Sequence, residues 1–445
     1  MSDLLSIAAS GLRAYQTALT TTSENIANAG TTGYVRRTAT VREIAAVSTM
    51  NNGTLNGMGV TVSGVSRAGD ELRSAAVRSA GADLAKTETG ATWLQRIEDS
   101  MTGNKLGDRI TAFFNSAKAV AADPSSLAPR AAMLEAAASV AAAFAATGTS
   151  LRAASTDLDA TATTAVAQLN TLSAALAKVN NGLGRVSPGT SNAAALLDQR
   201  DQLLEQMSAL TDVSVSYDAL GRVGVKGGND NGPVLVEGKA SYPVSYARND
   251  QGAVSFAVHG AETLALSPAG GALAGIGEGA QRIADAIAQV DGIAKNFAEG
   301  VNAVQAGGAD LDGNAGAPLF AIGDPASQLS VALPDARGIA AAAAGGGTRD
   351  NSNLTALEAL RGTGKFETGI TDFTAANANA LSSRQAVAEA QTAIRDAAVA
   401  SRDAVSGVNI DEEAVDLMRF QQAYMASSRV IQTARDTLQA ILEIR

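Results

Sequence analysis

Few side chains in this sequence have the types and spacing needed for chemistry. His259 is the only histidine and cysteine is absent, so neither a His-paired metal site nor a thiolate zinc site can form within one chain. His259 ends the run AVSFAVH, whose alternation predicts a strand with His259 on the face opposite Val254, Phe256 and Val258. A catalytic triad needs a nucleophile, a base and an orienting group, and no local motif supports one. We interpret His259 as an exposed strand residue.

One acidic segment partly matches a calcium-binding loop. Asp310, Asp312 and Asn314 have the first three ligand spacings of such a loop. The sixth position, which should be glycine, is Ala315, and the twelfth, which should be acidic, is Ala321. We interpret the segment as an ordinary polar turn and predict no metal site.

Two further patterns have simpler explanations than a ligand site. The glycines between residues 275 and 279 follow no clear strand and lack the spacing of a dinucleotide-binding fingerprint. Asp198, Arg200, Asp201 and Glu205 have the spacing of helix-surface ion pairs, which predicts a solvated helix face. The sequence therefore predicts no catalytic residue and no cofactor, and it favours a structural protein over an enzyme on a helical scaffold.

The composition narrows the class of protein further. The chain has 445 residues, a formal charge of −10 and only 4% aromatic residues. No basic block stands out, which argues against a nucleic-acid partner. The first residues include Asp3 and lack a basic region, so we expect no cleavable secretory signal. No apolar run reaches about 18 residues, and we expect no membrane insertion. The many alanines indicate long, slender helices.

The N-terminal residues carry a heptad repeat. Its first apolar positions are Leu5, Leu12, Leu19 and Ile26, and the positions three residues later are Ala8, Tyr15 and Thr22. The spacing predicts an amphipathic helix, either packed on a domain core or paired in a coiled coil.

The C-terminal residues carry a matching repeat. Its first positions are Leu417, Tyr424, Ile431 and Leu438, and the positions three residues later are Phe420, Ser427, Ala434 and Ile441. Asn409 or Asp411 can cap this helix, and Glu412 and Glu413 suit the positive end of its dipole.

Matching seams at both chain ends indicate that the two helices pair with each other or with copies from other subunits. Isolated helices of this length are marginal in water, and the alanine, threonine and serine in the seams offset little of the ordering entropy. We therefore predict termini that are poorly ordered in the monomer and become ordered on assembly. The predicted assembly seam consists of Leu5, Leu12, Tyr15, Leu19, Ile26, Leu417, Phe420, Tyr424, Ile431, Leu438 and Ile441.

Residues 25–37 read NIANAGTTGYVRR. This segment resembles the N-terminal motif of the bacterial flagellar axial proteins (rod, hook and hook-associated proteins), whose usual form is close to NIANANTPGYSR. Gly30 stands where asparagine is usual, and Thr32 where proline is usual. We predict that Gly30 takes the left-handed C-cap conformation and that Gly33 turns the chain. The motif residues kept here are Asn25, Ile26, Ala27, Asn28, Gly33 and Tyr34.

Three further segments resemble the hook-associated branch of that family. They are GVTVSGVSRAGD at 59–70, LLDQRDQLLEQMSAL at 196–210, and the ending that starts SGVNIDEE at 406. Segments 310–320 and 350–357 also resemble family segments, so the resemblance runs from end to end. A hook or distal-rod protein is the alternative within the family. A cytoplasmic coiled-coil adaptor would explain the heptads but not the motif.

The predicted fold is mainly α with an inserted small β-domain. Residues 1–34 and 406–445 would form a coiled-coil-like terminal layer. Residues 35–212 and 270–405 would form an α-rich domain built from both halves of the chain, and short β-rich runs place the β-domain at 213–269. The finer reading predicts a hairpin-like region over 35–66, and helices over 70–118, 130–210, 278–305 and 370–405.

The resemblance implies a structural component of the bacterial flagellum at the junction of hook and filament, needed for filament assembly and motility. It implies a ring of subunits that contacts the hook protein and a second junction protein, hook-associated protein 3. It also implies export by the flagellar type III apparatus to the extracellular flagellum. An export chaperone at the C-terminal helix is implied as well, covering Phe420, Tyr424, Ile431 and Leu438.

Overall fold

The computed structural model describes residues 2–44 and 59–443. Helices dominate this described part of the chain, and the predicted class, mainly α with a small β insertion, is confirmed. The helices are α1 (Ser2–Asn28), α2 (Glu71–Gly103), α3 (Leu106–Ala122), α4 (Leu127–Leu183), α5 (Ser191–Leu210), α6 (Gly271–Ala306), α7 (Ser352–Gly364), α8 (Phe366–Ser406) and α9 (Ile410–Glu443).

The strands form small antiparallel sheets. A hairpin joins β1 (Arg37–Glu43) to β2 (Val60–Arg67). The insertion holds a four-stranded sheet of β3 (Val213–Tyr217), β4 (Val223–Gly227), β5 (Val234–Glu237) and β6 (Ala240–Ser241), and a three-stranded sheet of β7 (Val244–Arg248), β8 (Val254–His259) and β9 (Thr263–Leu266). Farther on, β10 (Gly308–Ala309) pairs with β13 (Ala342–Ala343), and β11 (Phe320–Ile322) pairs with β12 (Leu329–Val331). Residues 45–58 of the predicted hairpin region lie outside the described residues.

The α-rich core is built from both halves of the chain. Phe297 of α6 is fully buried and meets Phe114 of α3 and Phe366 of α8 edge-on, with ring planes 89° and 90° apart. Edge-to-face aromatic pairs are favourable because the positive ring edge meets the negative ring face. The core thus fixes α3, α6 and α8 against one another.

Helix α4 is the longest element and lines this core. Its buried face includes Phe144, Leu151 and Leu158, which recur every seven residues. A window of α4 reaches a mean hydropathy of 1.4, so by length and composition this helix could cross a membrane. Its alanines raise the mean hydropathy, although polar residues such as Glu135 and Thr147 interrupt the apolar run. In this fold 44% of the window is buried inside the protein.

Asparagine side chains on α4 hold the inserted sheets. Asn180 donates to the carbonyl of Val223 at 2.8 Å and accepts from its N–H at 2.9 Å. Asn170 does the same for Val244, at 2.9 and 2.7 Å. Each amide therefore satisfies both main-chain groups of a strand residue. The two strands are fixed to one helix, and the sheets cannot slide along it without losing these bonds.

The helix predicted over 70–118 is interrupted. Lys105 has a left-handed φ of 50°, so α2 ends at Gly103 and α3 begins at Leu106. A non-glycine residue in this conformation is uncommon. Gly103 and Gly107 flank this position, but helical periodicity continues on both sides and alone did not reveal the break.

Helix α6 begins earlier than predicted, at Gly271 rather than 278. The glycines in this region allow α6 to approach α2 closely. A Cβ on Gly279 would overlap the ring of Trp93, which is 4% exposed. Trp93 is the packing anchor of this helix pair.

We predict that Gly279→Ala destabilises the α-rich domain by about 1–3 kcal/mol, because the added methyl overpacks the contact with Trp93. The matched control is Gly292→Ala on the same helix, where a Cβ would meet no atom within 4 Å. That change should stabilise the α-rich domain by up to about 1 kcal/mol. Urea unfolding followed by the fluorescence of Trp93, the only tryptophan, measures both. Equal stability of the two variants would contradict the packing argument.

Candidate functional site

The terminal helices α1 and α9 pack along each other. Ala8, Ala14 and Ala18 of α1 are 6%, 1% and 2% exposed, and Ala434 of α9 is 6% exposed. A Cβ on Gly11 would come within 3.2 Å of Ser427 Oγ, so the two backbones lie close together. The contact between the helices is therefore made mainly by small side chains.

The large apolar residues of the predicted seam lie at the margin of this contact. Tyr424 is 38% exposed. Ile441 lies in α9, outside the residues whose side chains the structure describes. The half-buried members are Leu5, Leu12, Tyr15, Leu19, Ile26, Leu417, Phe420, Ile431 and Leu438. Their role in assembly stays a prediction.

Helix α9 also exposes apolar side chains that the predicted seam omitted. Val415, Met418 and Met425 are 60%, 55% and 54% exposed. Their spacing places Met418 and Met425 on the face of α9 turned away from Ala434, with Val415 beside that face. Clustered exposed apolar residues mark interaction surfaces. These three also have heptad spacing, but in a register offset from that of the predicted seam.

Asn25 of the family motif is the centre of the site where both chain ends meet. Its Nδ2 donates to the carbonyl of Arg37 at 2.8 Å and to Glu413 Oε2 at 2.9 Å. Its Oδ1 accepts from the N–H of Arg37 at 3.0 Å and from the hydroxyl of Tyr34 at 2.8 Å. Both donors and both lone pairs of the amide are used. Asn25 is 1% exposed, so each of these bonds replaces one that water could have made.

Glu413 ties the C-terminal helix into the same site. Its side chain is 2% exposed, and Oε1 accepts from Arg36 Nε at 2.6 Å. This hydrogen bond raises the pKa of Arg36, and burial raises the pKa of Tyr34 to about 12. The N–H of Arg36 also donates to the carbonyl of Ser406 at 2.9 Å. The start of α9 is thereby joined to the residues that follow α1.

A second polar cluster links the motif to α5. Asp198 accepts from Arg37 Nη2 at 2.9 Å and from Arg67 Nε at 2.6 Å. Arg67 also reaches Asp201 at 2.7 Å. Asp198 and Arg200 are 7% and 3% exposed, so the predicted solvated helix face was wrong for these two residues, whereas Glu205 is exposed. The two arginine partners of Asp198 lie 161 and 131 residues away in the chain, and the spacing of neighbours on one helix cannot reveal such pairs.

The loop of the motif rests on the same helix. Gln202 Nε2 donates to the carbonyl of Thr32 at 2.6 Å. Gly33 has a φ of 77°, and a Cβ there would overlap the side chain of Gln202. Gly30 is not among the glycines with positive φ, so the left-handed turn is at Gly33 and the prediction for Gly30 was wrong.

The other motif residues are less enclosed. Ile26 and Asn28 are half-buried and Ala27 is exposed. Asn28 donates to the carbonyl of Glu24 at 2.9 Å, within its own helix. Of the motif side chains, Asn25 and Tyr34 therefore make the links between elements.

His259 is an exposed residue of β8, as predicted. Its Nε2 lies 2.7 Å from Ser245 Oγ and its Nδ1 lies 3.2 Å from Thr263 Oγ1. Two hydroxyls flank the ring, and neither is an acid that could orient it as in a catalytic triad.

The acidic segment near residue 310 forms a closed polar turn. Asp310 Oδ1 accepts from the N–H groups of Asp312 and Asn314, at 2.9 and 2.8 Å. Arg337 Nε donates to Asp312 at 2.9 Å and supplies the nearby positive charge. Within residues 2–44 and 59–443, no group of three or more acidic, histidine or cysteine residues could hold a metal ion.

Comparisons with known proteins decide the family. A family model described as the helical domain of flagellar hook-associated protein FlgK matches residues 94–320. The chain belongs to the FlgK family of flagellar hook-associated proteins. The two ends match broader models, a flagella basal body rod protein at 5–34 and the flagellar basal body rod FlgEFG protein C-terminal at 402–444. The predicted resemblance is confirmed.

Individual relatives agree with this assignment. Flagellar hook-associated protein 1 of Escherichia coli K12 is 26% identical over 557 aligned residues that cover 100% of both chains. Its namesake from Salmonella typhimurium LT2 is 25% identical over 340 residues, covering 73% of this chain and 60% of that protein. The solved structure of the flagellar hook junction protein FlgK from Burkholderia pseudomallei superposes with a TM-score of 0.67 at 17% identity, over 74% of this chain and 100% of that one.

The family gives the chain its function. It is a structural component of the bacterial flagellum, a hook-associated protein at the junction of hook and filament. The middle of the chain carries this assignment, because the models that match the two ends describe rod proteins.

We predict that Asn25→Asp releases the start of α9 from α1. The change removes both donors of the amide and places a carboxylate beside the buried carboxylate of Glu413. The free energy that holds the start of α9 on α1 should fall by about 3 kcal/mol or more, as for other uncompensated buried charges. Hydrogen exchange of the α9 amides next to Glu413 measures the loss.

Asn28→Asp is the matched control, because Asn28 is three residues farther along and its side chain bonds only to Glu24 and Thr31, its neighbours in the sequence, among the described contacts. Its effect on α9 should be small. Equal exchange rates in the two variants would contradict the central role of Asn25.

Proposed function

We propose that the chain is a structural adaptor whose terminal layer, residues 1–34 and 406–445, forms the assembly layer of the flagellar axis. The α-rich domain, residues 35–212 and 270–405, and the β-domain, residues 213–269, would lie outside that layer. The observation that carries this proposal is Asn25, whose side chain joins both chain ends at a single buried site. An assembly layer made of two distant segments needs such a joint.

We propose that the terminal helices become fully ordered only on assembly. Near Asn25 the helices are held by buried hydrogen bonds. Farther away, Ala8, Ala14 and Ala18 supply the buried contact, and each alanine buries little apolar area. The half-buried leucines of the predicted seam would gain most of their contacts from neighbouring subunits.

The proposed neighbours are further copies of this chain in a ring, the hook protein and hook-associated protein 3. Support comes from the exposed apolar side chains of α9, which include Val415, Met418 and Met425. Two surfaces of α9 are available to partners. One is formed by the half-buried seam residues, such as Ile431, and the other by the exposed face with Met418 and Met425. A helix between two neighbouring layers needs both.

We propose export through the flagellar type III apparatus to the extracellular flagellum. Before export, an apolar helix in the cytoplasm is an aggregation hazard. A chaperone that covers Phe420, Tyr424, Ile431 and Leu438 would remove that hazard, and Tyr424 is already exposed on α9. The proposed role requires no catalysis, no cofactor, no nucleic acid and no membrane insertion.

Deletion of the gene tests this role. Electron microscopy of the cells and a blot of the medium for flagellin should show bare hooks and flagellin lost to the medium. Absent hooks or truncated rods would move the protein to the hook or rod class, the alternative function. Normal filaments would refute the proposal.

We predict that Leu12→Asp or Ile431→Asp blocks filament assembly while changing the monomer little. In the assembly the unpaired charge would be buried, at a cost of several kcal/mol. In the monomer both side chains are only half-buried. Complementation of the deletion strain gives the assembly result, and circular dichroism of the purified monomer gives its melting temperature.

Gln16→Asp, at an exposed position on the same helix as Leu12, is the control and should complement. A large fall in the monomer melting temperature of Leu12→Asp would contradict the proposal that the seam becomes buried only on assembly.

A further inference from the structure

The terminal helix pair is attached to the rest of the protein by a narrow connection. Within residues 2–44 and 59–443, α9 packs mainly against α1, and α1 packs otherwise against the hairpin of β1 and β2. The hairpin in turn rests on α5 and the loop before it, where the N–H of Val65 donates to the carbonyl of Gly189 at 2.7 Å. The hairpin is therefore a mechanical link between the helix pair and the α-rich part of the chain, beside the short connection from α8 to α9 at residues 407–409 and the contact of Gln202 with Thr32.

The base of this hairpin carries two opposed positive charges. Arg37 and Arg67 are direct cross-strand partners. Like charges directly opposite on neighbouring strands destabilise a hairpin. Asp198 of α5 accepts a hydrogen bond from each guanidinium, at 2.9 and 2.6 Å. Asp198 is thus the carboxylate that the two arginines share, and Arg67 also pairs with Asp201 of the same helix at 2.7 Å.

Arg37 is bound from both directions. Its main chain is held by Asn25, on the side of the terminal helices. Its side chain is held by Asp198, on the side of α5. The Nε of Arg37 is buried without a hydrogen-bond partner among the described residues, and its other ion pair, to Glu24, is longer at 3.4 Å. The guanidinium therefore depends chiefly on Asp198.

We propose that the ion pairs of Asp198 with Arg37 and Arg67 fix the angle between the terminal helix pair and the α-rich part of the chain. Neutralising this carboxylate frees the angle, because the two arginines then repel each other and lose their common partner. Neither body unfolds, because the aromatic core around Phe297 and the hydrogen bonds of Asn25 do not involve Asp198. The inference concerns the isolated chain and goes beyond the assembly role.

The sequence makes this proposal easy to test, because the chain has no cysteine and one tryptophan. Spin labels on Arg429→Cys in α9 and Thr163→Cys in α4, both exposed positions, report the distance between the two bodies. Fluorescence of Trp93, buried in α2, reports the stability of the α-rich part alone. Both measurements use the full chain as a monomer.

In the labelled parent, the distance distribution should have one narrow peak. Asp198→Asn should broaden it about twofold or more, as expected for a freed hinge. The Trp93 melting curve should not move. The matched control is Glu205→Gln on the same helix, because Glu205 pairs with Arg402 of α8 and not with the hairpin. The control should leave both readouts unchanged.

A second variant covers the case in which Asp198→Asn fails to fold. Arg37→Gln breaks the same link from the other side and keeps the main-chain bonds to Asn25. It should broaden the distribution equally, and the double variant should broaden it no further. An unchanged peak in Asp198→Asn, or broadening in the Glu205→Gln control, would overturn the proposal. A fall in the Trp93 melting temperature together with broadening would also overturn it, because Asp198 would then be part of the α-rich fold itself.

Discussion

The four hydrogen bonds of the Asn25 amide are the interaction on which the terminal layer of this protein depends. They join three segments: α1, the chain that follows it and the first turn of α9. A buried amide with both donors and both acceptors used is highly directional, since any shift leaves a polar group unsatisfied. The site therefore fixes where the two ends of the chain meet.

Around this site, the close-packed part of the protein and the part with exposed apolar side chains are different regions. The α-rich part has a close-packed aromatic core, in which Phe297 is fully buried. The terminal helices bury mainly alanines against each other and leave larger apolar residues such as Met418 at the surface. The proposed assembly role would need this arrangement, because contacts completed within the monomer are not available to neighbouring subunits. The polar joint supplies the geometry that the weak helix contact cannot supply.

The sequence predicted the helices at both ends, the β insertion and the family, because periodicity and local motifs are properties of neighbouring residues. It did not predict the long-range partners. The heptad pattern emphasised Leu12 and Leu19, whereas the buried contact uses Ala14 and Ala18, because two helices that approach closely favour small side chains. Asp198 looked like a surface charge, because both arginines that neutralise it belong to a hairpin far away in the chain.

The most direct test of the central claim is a double-mutant cycle between Asn25 and Glu413. Hydrogen exchange of the α9 amides is measured in the parent, in Asn25→Ala, in Glu413→Gln and in the double variant. If the two side chains hold the chain ends as one joint, the coupling energy should be about 1 kcal/mol or more. Effects that add to within about 0.5 kcal/mol would show that the two residues act independently, and would contradict this account.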